Sequence, residues 1–283
     1  MAAAVPNSEK YKQAEQEKNK HKAMADEAIK AMKEAEDNKK WDPKQWNAIC
    51  MDLQQTQPVP RLSIGPAYYK RKLSLYTFCI YDLKKKKPHV YVWEENTAKR
   101  GSVEIYSCLN KWINEHVLNV EQYPRNLKIF ADNCGGQNKN NNMCISMLMN
   151  VHKKKFDRIE FGFLVPGHTY NSCDRVFAWI ENKYNVEKDL TSPALYLDRI
   201  QQAVKKSRGF TYHMQHEEFL NIEVFANRPS SGNRLAYVRP TADKLFQKAR
   251  LFVMDKSYKQ GYIVKQSFNQ RDNNGVKVSL HLP

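Results

Sequence analysis

The sequence lacks the signals of several common protein classes. Its six cysteines form no CxxC pair, and several lie in apolar runs such as LYTFCIYDL, a placement typical of reduced, buried cysteine. The cysteine spacings also fit no closed zinc site. No apolar run reaches the roughly 18 residues that a membrane span needs, and charge begins at Glu9, before a secretion signal could form. We therefore expect an intracellular protein, nuclear or cytoplasmic and not secreted, with no membrane partner.

Motifs of several enzyme classes are also absent. The patterns GxSxG and HExxH and the Walker and Rossmann glycine motifs do not occur, which argues against the hydrolases, metalloproteases and nucleotide-binding proteins that they mark. The sequence does contain enough apolar residues for a core, 41%, and its 46 Lys and Arg against 30 Asp and Glu give a formal net charge of +16. A surplus of this size favours a polyanionic partner, with nucleic acid as the first candidate.

The two ends of the chain differ from its middle. Residues 1–44 are a polar arm, and the Lys, Glu, Ala and Gln of residues 8–40, without Gly or Pro, predict a long helix with a thin apolar stripe. We expect this helix to project from the globular domain without joining its core. A homodimer formed through this helix, and tracking of DNA by it, are the alternatives to plain solvation. Residues 209–283 contain short β-like runs (NIEVFA, LAYVRP, RLFVMD, GYIVKQSF) and predict a small β-rich appendage with a loose tail.

Residues 45–208 show the pattern of an α/β domain. Apolar and alternating runs predict three strands with hairpin-length links, then two strands that are each reached through a helix, and two helices after the last strand. The order β β β α β α β α predicts a mixed sheet with helices on its faces, because strands joined through a helix are parallel. The predicted strands are 46–53, 73–83, 89–95, 126–132 and 158–165, and the predicted helices are 102–119, 141–154, 173–184 and 194–206.

Acidic residues follow three of these strands. Asp52 ends the first predicted strand, and Asp132 ends the fourth within the stretch FADNCGGQNKNNN. The fifth strand leads into PGHTYNSCDR, which brings His168 and Asp174 to the start of the next helix. The carboxyl ends of parallel strands meet at one sheet edge, and three carboxylates there repel one another unless a cation holds them. We predict a site in which the three acids hold two Mg²⁺ or Mn²⁺ ions, with His168 as a further catalytic residue. The alternative for His168 is a histidine that caps the helix or packs in the loop.

Neutral polar groups lie close to these acids in the sequence. Glycines allow the backbone to turn sharply and to approach a ligand closely, and amides offer donors and acceptors for phosphate or sugar. The predicted substrate-binding residues are Gln54, Gly135, Gly136, Gln137 and Asn138. The alternative is a simple strand-to-helix turn in which Asp132 and Asn133 cap the next helix.

These segments resemble a known family. MDLQQTQPVPRLSIGPAYYKRKLSLYTFCIYDL, VWEENTAKRGSVEI, FADNCGGQNKNNN and FLVPGHTYNSCDRVFAWIE are similar to a metazoan family of uncharacterised, transposase-derived domains in the ribonuclease H-like DDE/D superfamily. The similarity runs from about residue 45 to about 190 and continues more weakly to about 265. It implies a ribonuclease H-like fold in which Asp52 and Asp132 are the acids of the first and fourth strands. Asp174 or Glu181 would be the acid of the last helix, and we favour Asp174 because it lies nearer the strand end.

The resemblance implies a transposase-derived, metal-dependent domain that cleaves DNA phosphodiesters or transfers DNA strands. The alternative is a domesticated or decayed protein that binds nucleic acid or serves as a scaffold without catalysis. A third hypothesis is a protein-interaction module whose basic surface is incidental. Convergence of the three carboxylates separates the first two hypotheses, and the salt dependence of DNA binding separates both from the third.

Overall fold

The computed structural model describes residues 9–63, 70–187, 189–221, 243–258 and 261–279. Within these ranges the protein is an α/β structure in which ten strands form one mixed sheet, accompanied by six α-helices. The strands are β1 (Trp46–Leu53), β2 (Gln57–Val59), β3 (Leu73–Asp82), β4 (Lys87–Glu94), β5 (Asn126–Ala131), β6 (Arg158–Phe163), β7 (Phe210–His213), β8 (Leu251–Asp255), β9 (Gly261–Lys265) and β10 (Val276–Ser279). The helices are α1 (Glu9–Glu36), α2 (Ser102–Trp112), α3 (Asn141–His152), α4 (Ser172–Val186), α5 (Pro193–Lys205) and α6 (Asp243–Lys248).

The strand order is β10-β9-β8-β6-β5-β1-β3-β4-β7, with β2 paired to β3 outside this path. Strands β1, β3 and β4 pair antiparallel, as short links require, whereas β1, β5 and β6 pair parallel through the crossover helices α2 and α3. The prediction of an α/β mixed sheet is confirmed, and each predicted strand and helix of residues 45–208 is present with ends shifted by a few residues. A π-helical turn, Ile113–Val117, continues α2.

The sheet has a hydrophobic core on each face. Along β1 the side chains alternate, so that Ile49 and Met51 belong to one core and Ala48 and Cys50 to the other. The first core is closed by α2 and α3, and the second by α1, α4 and α5. This second face is the one on which the candidate site lies.

The prediction that the N-terminal helix stays outside the core is wrong for its second half. Ala28, Met32 and Ala35 of α1 are buried in the second core, and Ala25 is only 1% exposed. The stripe is thin because it is mostly alanine, and small side chains let the helix lie close to the sheet. Residues 9–20 are exposed, as expected. A homodimer through this helix stays a prediction, and it concerns only this exposed part.

The prediction of a separate β-rich appendage after residue 208 is also wrong. Strand β7 extends one edge of the central sheet beside β4, and β8, β9 and β10 extend the other edge beside β6. The expected loose tail contains β10, which pairs antiparallel with β9. The predicted strands LAYVRP and NIEVFA, apart from Asn221, lie outside the described residues. No helix in the described part of the chain is long and apolar enough to cross a membrane.

Candidate functional site

Asp52 and Asp132 end two neighbouring parallel strands at the same level. Strands β1 and β5 pair in parallel with Ile49 opposite Ile129 and Cys50 opposite Phe130. The same register, continued by two residues, sets Asp52 beside Asp132, and adjacent strands lie only about 4.8 Å apart. Side chains along a strand alternate between the two faces of the sheet. Asp52 and Asp132 lie two residues after Cys50 and Phe130, which belong to the second core, so both acids lie on the face that α4 covers.

Helix α4 brings the third acid to this place. Its second residue, Cys173, is fully buried, and its Sγ lies 3.9 Å from Sγ of Cys50 and 3.5 Å from the Cys79 carbonyl oxygen. These contacts fix the first turn of α4 over β1 and β3. Asp174 follows directly, and its carboxylate interacts electrostatically with that of Asp52.

The three carboxylates shape the electrostatics of the site. Burial first, and then the charges of Asp132 and Asp174, raise the pKa of Asp52 to about 7. A hydrogen bond from the Leu53 backbone N–H, at 2.8 Å, and the nearby Asn171 side-chain amide oppose this shift. Near neutral pH, the site with a bound proton or cation is therefore more stable than the site with three ionised carboxylates alone.

The sequence around Asp174 explains why α4 begins there. Asn171 is the N-cap, and its Oδ1 accepts a hydrogen bond from the Cys173 N–H at 2.7 Å. The Asn171 N–H donates in turn to Oδ2 of Asp174 at 2.7 Å, which completes a capping box. Asn171 is only 2% exposed. Its backbone thus holds one acid of the site, while its side-chain Nδ2, which donates to the Thr169 carbonyl oxygen at 3.1 Å, lies close enough to Asp52 to lower the pKa of that acid.

The loop after β5 holds Asp132 in a similar way. Oδ1 of Asp132 accepts hydrogen bonds from the Cys134 N–H, at 3.3 Å, and from Nδ2 of Asn138, which is 3% exposed. The loop itself is tied down by Lys139, whose Nζ donates to the carbonyl oxygens of Gln247 and Ala249 at 2.7 and 2.8 Å. Each acid of the site thus uses one oxygen in a described hydrogen bond and keeps a second.

Unpaired amide oxygens add to the negative character of this edge. Within the described residues, Oε1 of Gln54 and Oδ1 of Asn133 and Asn138 are buried without a hydrogen-bond partner. Buried oxygens without a donor are costly unless water or a cation satisfies them. Oxygen atoms of carboxylates and amides are the ligands that Mg²⁺ and Mn²⁺ prefer, so the donor set fits a hard divalent cation.

The acids do not form a closed cage. Among the described residues no group of three or more His, Cys, Asp and Glu side chains is arranged to hold a metal ion. Mg²⁺ in proteins is usually bound by one or two carboxylates together with water and substrate phosphates. The pair formed by Asp52 and Asp132, with Asp174 beside it, suits that open mode of binding better than a site built from protein ligands alone.

Comparison with protein families gives a match over residues 72–229, more than half of the chain, to a domain of unknown function. The chain belongs to the DUF7869 family. No curated protein and no solved structure matched. The matched segment of the DUF7869 domain contains Asp132 and Asp174, whereas β1 with Asp52 precedes it.

The remaining predicted site residues lie in different surroundings. Gln54 is 5% exposed, and its Nε2 donates to Oε1 of Glu181 at 3.2 Å. Glu181 thus lies two turns along α4 beside Gln54, while Asp174 is the helix acid that acts on Asp52. Asn138 is buried against Asp132. Both amides therefore position other groups and are not exposed to a substrate.

The exposed members of the predicted set are Gly135, Gly136 and His168. Gln137 is half-buried. Neither glycine adopts the left-handed conformation, and an added Cβ at Gly136 would meet no atom within 4 Å, so the turn itself does not require them. The His168 ring lies 5.4 Å from that of His21 on α1. His168 therefore faces α1, and the structure shows no contact between this histidine and the described acids.

Sequence reasoning missed Asn171 as a residue of the site. A signal was present in NSCD, since an Asn followed three residues later by an Asp marks a helix start. The effect of Asn171 on Asp52 carried no such signal, because it depends on how α4 of the DUF7869 domain crosses β1.

Proposed function

We propose that this protein is a transposase-derived domain that cleaves DNA phosphodiesters, or transfers DNA strands, in a metal-dependent reaction. The observation that carries the proposal is that Asp132 and Asp174 lie close enough to the buried Asp52 for their charges to act on it; burial first, and then these two charges, raise the pKa of Asp52 to about 7. Strongly perturbed carboxylates at the carboxyl ends of parallel strands are typical of catalytic sites.

The topology supports a ribonuclease H-like core. Strands β4, β3, β1, β5 and β6 lie side by side in that order, with the first three antiparallel and the last three parallel. This is the arrangement that the resemblance of the sequence implies. The strands added at both edges are extensions that leave the acid-bearing edge of this core in place.

Three acids of this chain would hold the metal ions. Asp52, Asp132 and Asp174 each offer an oxygen atom to Mg²⁺ or Mn²⁺, and such ions polarise a phosphodiester and activate a water or 3′-hydroxyl nucleophile. Asn171 and Asn138 keep two of these carboxylates in place through the hydrogen bonds described above. The exposed Gly135 and Gly136 donate no described backbone hydrogen bond, unlike the residues on either side of them, so their two N–H groups would be open to a phosphate.

A second candidate function is nucleic-acid binding without catalysis. The observation that favours it is that no described group of three side chains is arranged as a metal site. The net charge of +16 suits either function, since release of counterions from DNA drives binding whether or not a bond is cut.

The test combines metal binding with DNA cleavage. Mn²⁺ affinity would be measured by calorimetry, and nicking of supercoiled DNA would be followed with and without Mn²⁺, for the wild type, Asp132→Asn and Asp174→Asn. The matched control is Glu121→Gln, which removes an exposed carboxylate far from the site.

We expect Mn²⁺-dependent nicking by the wild type and the control, and at least a 100-fold loss in the two site variants. Nicking by Asp132→Asn at the wild-type rate would rule out the proposed role of that acid. DNA binding by a wild type that neither binds Mn²⁺ nor cuts DNA would establish the second candidate.

A further inference from the structure

A groove lies between α4 and α5, on the flank of α4 opposite to Asp174. It has a volume of about 440 Å³, within the range of sites that hold a small ligand. Its lining includes an aromatic ring, two lysines and polar groups but no carboxylate, and the residues that matter are Trp179, Asn182, Lys183, Val186, Lys206 and Ser207.

Helix α4 presents a row of basic and aromatic side chains along this groove. Arg175, Trp179 and Lys183 follow one another at intervals of four residues, so they lie one above another on the helix. The Arg175 guanidinium is 6.0 Å from the centre of the Trp179 ring and 5.5 Å from that of Tyr81. Arg175 is exposed and Trp179 is half-buried. The Trp179 ring is therefore held in place while part of its surface stays free.

The row is connected to the candidate site by its position on the same helix. Lys183 lies nine residues beyond Asp174, about 13 Å along the helix axis. The surface of α4 between the two flanks carries Ala178 and Asn182, which are exposed and uncharged. The exposed Glu181 lies seven residues beyond Asp174 and therefore on the Asp174 side of α4, so a negatively charged chain could pass from Asp174 to the groove over Ala178 and Asn182 with this carboxylate to one side.

We infer that the α4–α5 groove binds single-stranded nucleic acid next to the site where the phosphodiester is cut. Lys183 and Lys206 neutralise phosphates, and Trp179 stacks on a base, a combination that binds single strands without sequence preference. The groove is too small for a duplex but suits one or two nucleotides. This inference rests on the proposed function in one respect, which is that the partner is a nucleic acid.

The test measures binding of a fluorescent twelve-residue oligo-dT to the full chain by anisotropy, in EDTA and over a series of salt concentrations. The groove variants are Trp179→Ala, Trp179→Phe and the double variant Lys183→Ala/Lys206→Ala. The matched control is Lys153→Ala/Lys277→Ala, which removes two exposed lysines from other parts of the surface.

We expect Trp179→Ala to weaken binding by about 5- to 100-fold, the loss of one base stack, and Trp179→Phe to restore most of it. The double groove variant should lower the slope of log K against log salt by roughly 1.4, about 0.7 for each phosphate, and the control should bind like the wild type. Melting temperatures verify that each variant is folded.

The inference would be overturned by no binding of oligo-dT, by equal binding of wild type and both groove variants, or by an equal loss in the control. Preference for a duplex of the same length, or loss of self-association in place of DNA binding, would also overturn it. Groove-dependent binding in a protein that never cuts DNA would overturn the proposed catalysis and leave this inference standing.

Discussion

Asp52 and Asp132 stand at the same level on two hydrogen-bonded parallel strands, and Asp174 reaches them from the helix above. Burial first, and then repulsion by the charges of Asp132 and Asp174, raise the pKa of Asp52. Sites of this kind are held together by the rest of the fold at a cost to stability, and a bound cation or a proton relieves that cost.

Asp52→Asn should therefore stabilise the metal-free protein. The pKa of Asp52 in the folded state is raised to about 7 from an unfolded value near 3.9, so the native state loses stability as the pH rises from about 4 to 7. Removal of this carboxylate should add at least about 1 kcal/mol at pH 8, or roughly 2–4 °C in Tm, and less at pH 5. Calorimetric melting in EDTA at both pH values measures this, and Mn²⁺ should raise the Tm of the wild type only. A lower Tm for Asp52→Asn than for the wild type at pH 8 would contradict the prediction.

Asn171→Ala should disturb the site as well as the helix. Loss of an N-cap side chain costs about 1 kcal/mol, and here it also removes a polar side chain that lowers the pKa of Asp52. Asn140→Ala is a matched control, because Asn140 caps α3 through its Oδ1 and the Met143 N–H at 3.1 Å. Both variants should lose similar free energy of unfolding in urea, but only Asn171→Ala should weaken Mn²⁺ binding, by tenfold or more. Equal Mn²⁺ affinity in the two variants would show that Asn171 acts only as a helix cap.

Much of the fold could be predicted because the strands of residues 45–208 are long apolar or alternating runs. The acids were found for the same reason, since Asp52 and Asp132 end such runs and the order of the strands sets them side by side. The edges of the sheet were harder. Strands β7 and β10 have four residues each, and a run of this length is too short to show a hydrophobic periodicity.

The contacts of side chains between distant segments could not be predicted. The sequence predicts that Gln54 binds a ligand, yet Gln54 is buried against Glu181, 127 residues away. The alanines of α1 read as helix formers in a solvated arm, yet three of them pack on the sheet. Alanine is equally common on an exposed helix and in a close contact, so composition alone did not distinguish the two.

The packing of α1 makes a clear prediction about truncation. Removal of residues 1–20 should leave the Tm within a few degrees, because the described part of this segment is exposed. Ala28→Arg should instead lower stability by 2 kcal/mol or more, on the order expected for a charge forced into a core, because Ala28 is 1% exposed in the second core. Urea unfolding measures both changes, with Ala23→Arg, at an exposed position of the same helix, as the control. Tolerance of Ala28→Arg would show that α1 does not dock in solution.

A buried ion pair on neighbouring strands predicts a coupling between two substitutions. Nζ of Lys128 lies 2.9 Å from Oε2 of Glu160, with both side chains less than a tenth exposed, and 4.3 Å from the Trp41 ring centre. Lys128→Met leaves Glu160 buried with Arg158 as its partner and should cost about 3 kcal/mol, whereas Lys128→Met/Glu160→Leu should recover at least half of this loss. A double-mutant cycle in urea measures the coupling. Additive losses would mean that the two residues contribute independently.

His89 should make the protein sensitive to acid. Its side chain is 2% exposed, stacks on Phe210, and has an Nδ1 without a hydrogen-bond partner in the described structure. Burial, helped by the charges of His116 and Lys85, lowers its pKa to about 3. In the unfolded state His89 has a pKa near 6.5, so it takes up a proton there that it does not take up in the folded state. Stability should fall as the pH drops from about 6.5 towards 3, by on the order of 2 kcal/mol from this residue at pH 5.

His89→Phe should remove that part of the acid sensitivity. The ring keeps its stack on Phe210, and the loss of an unpaired buried nitrogen costs little. Unfolding free energies at pH 7.5 and pH 5 should differ less in the variant than in the wild type, whereas His152→Phe, at a half-buried histidine on α3, should keep the full difference. If His89→Phe and the wild type lose the same free energy between the two pH values, His89 accepts its proton in the folded protein and is not buried as a neutral ring.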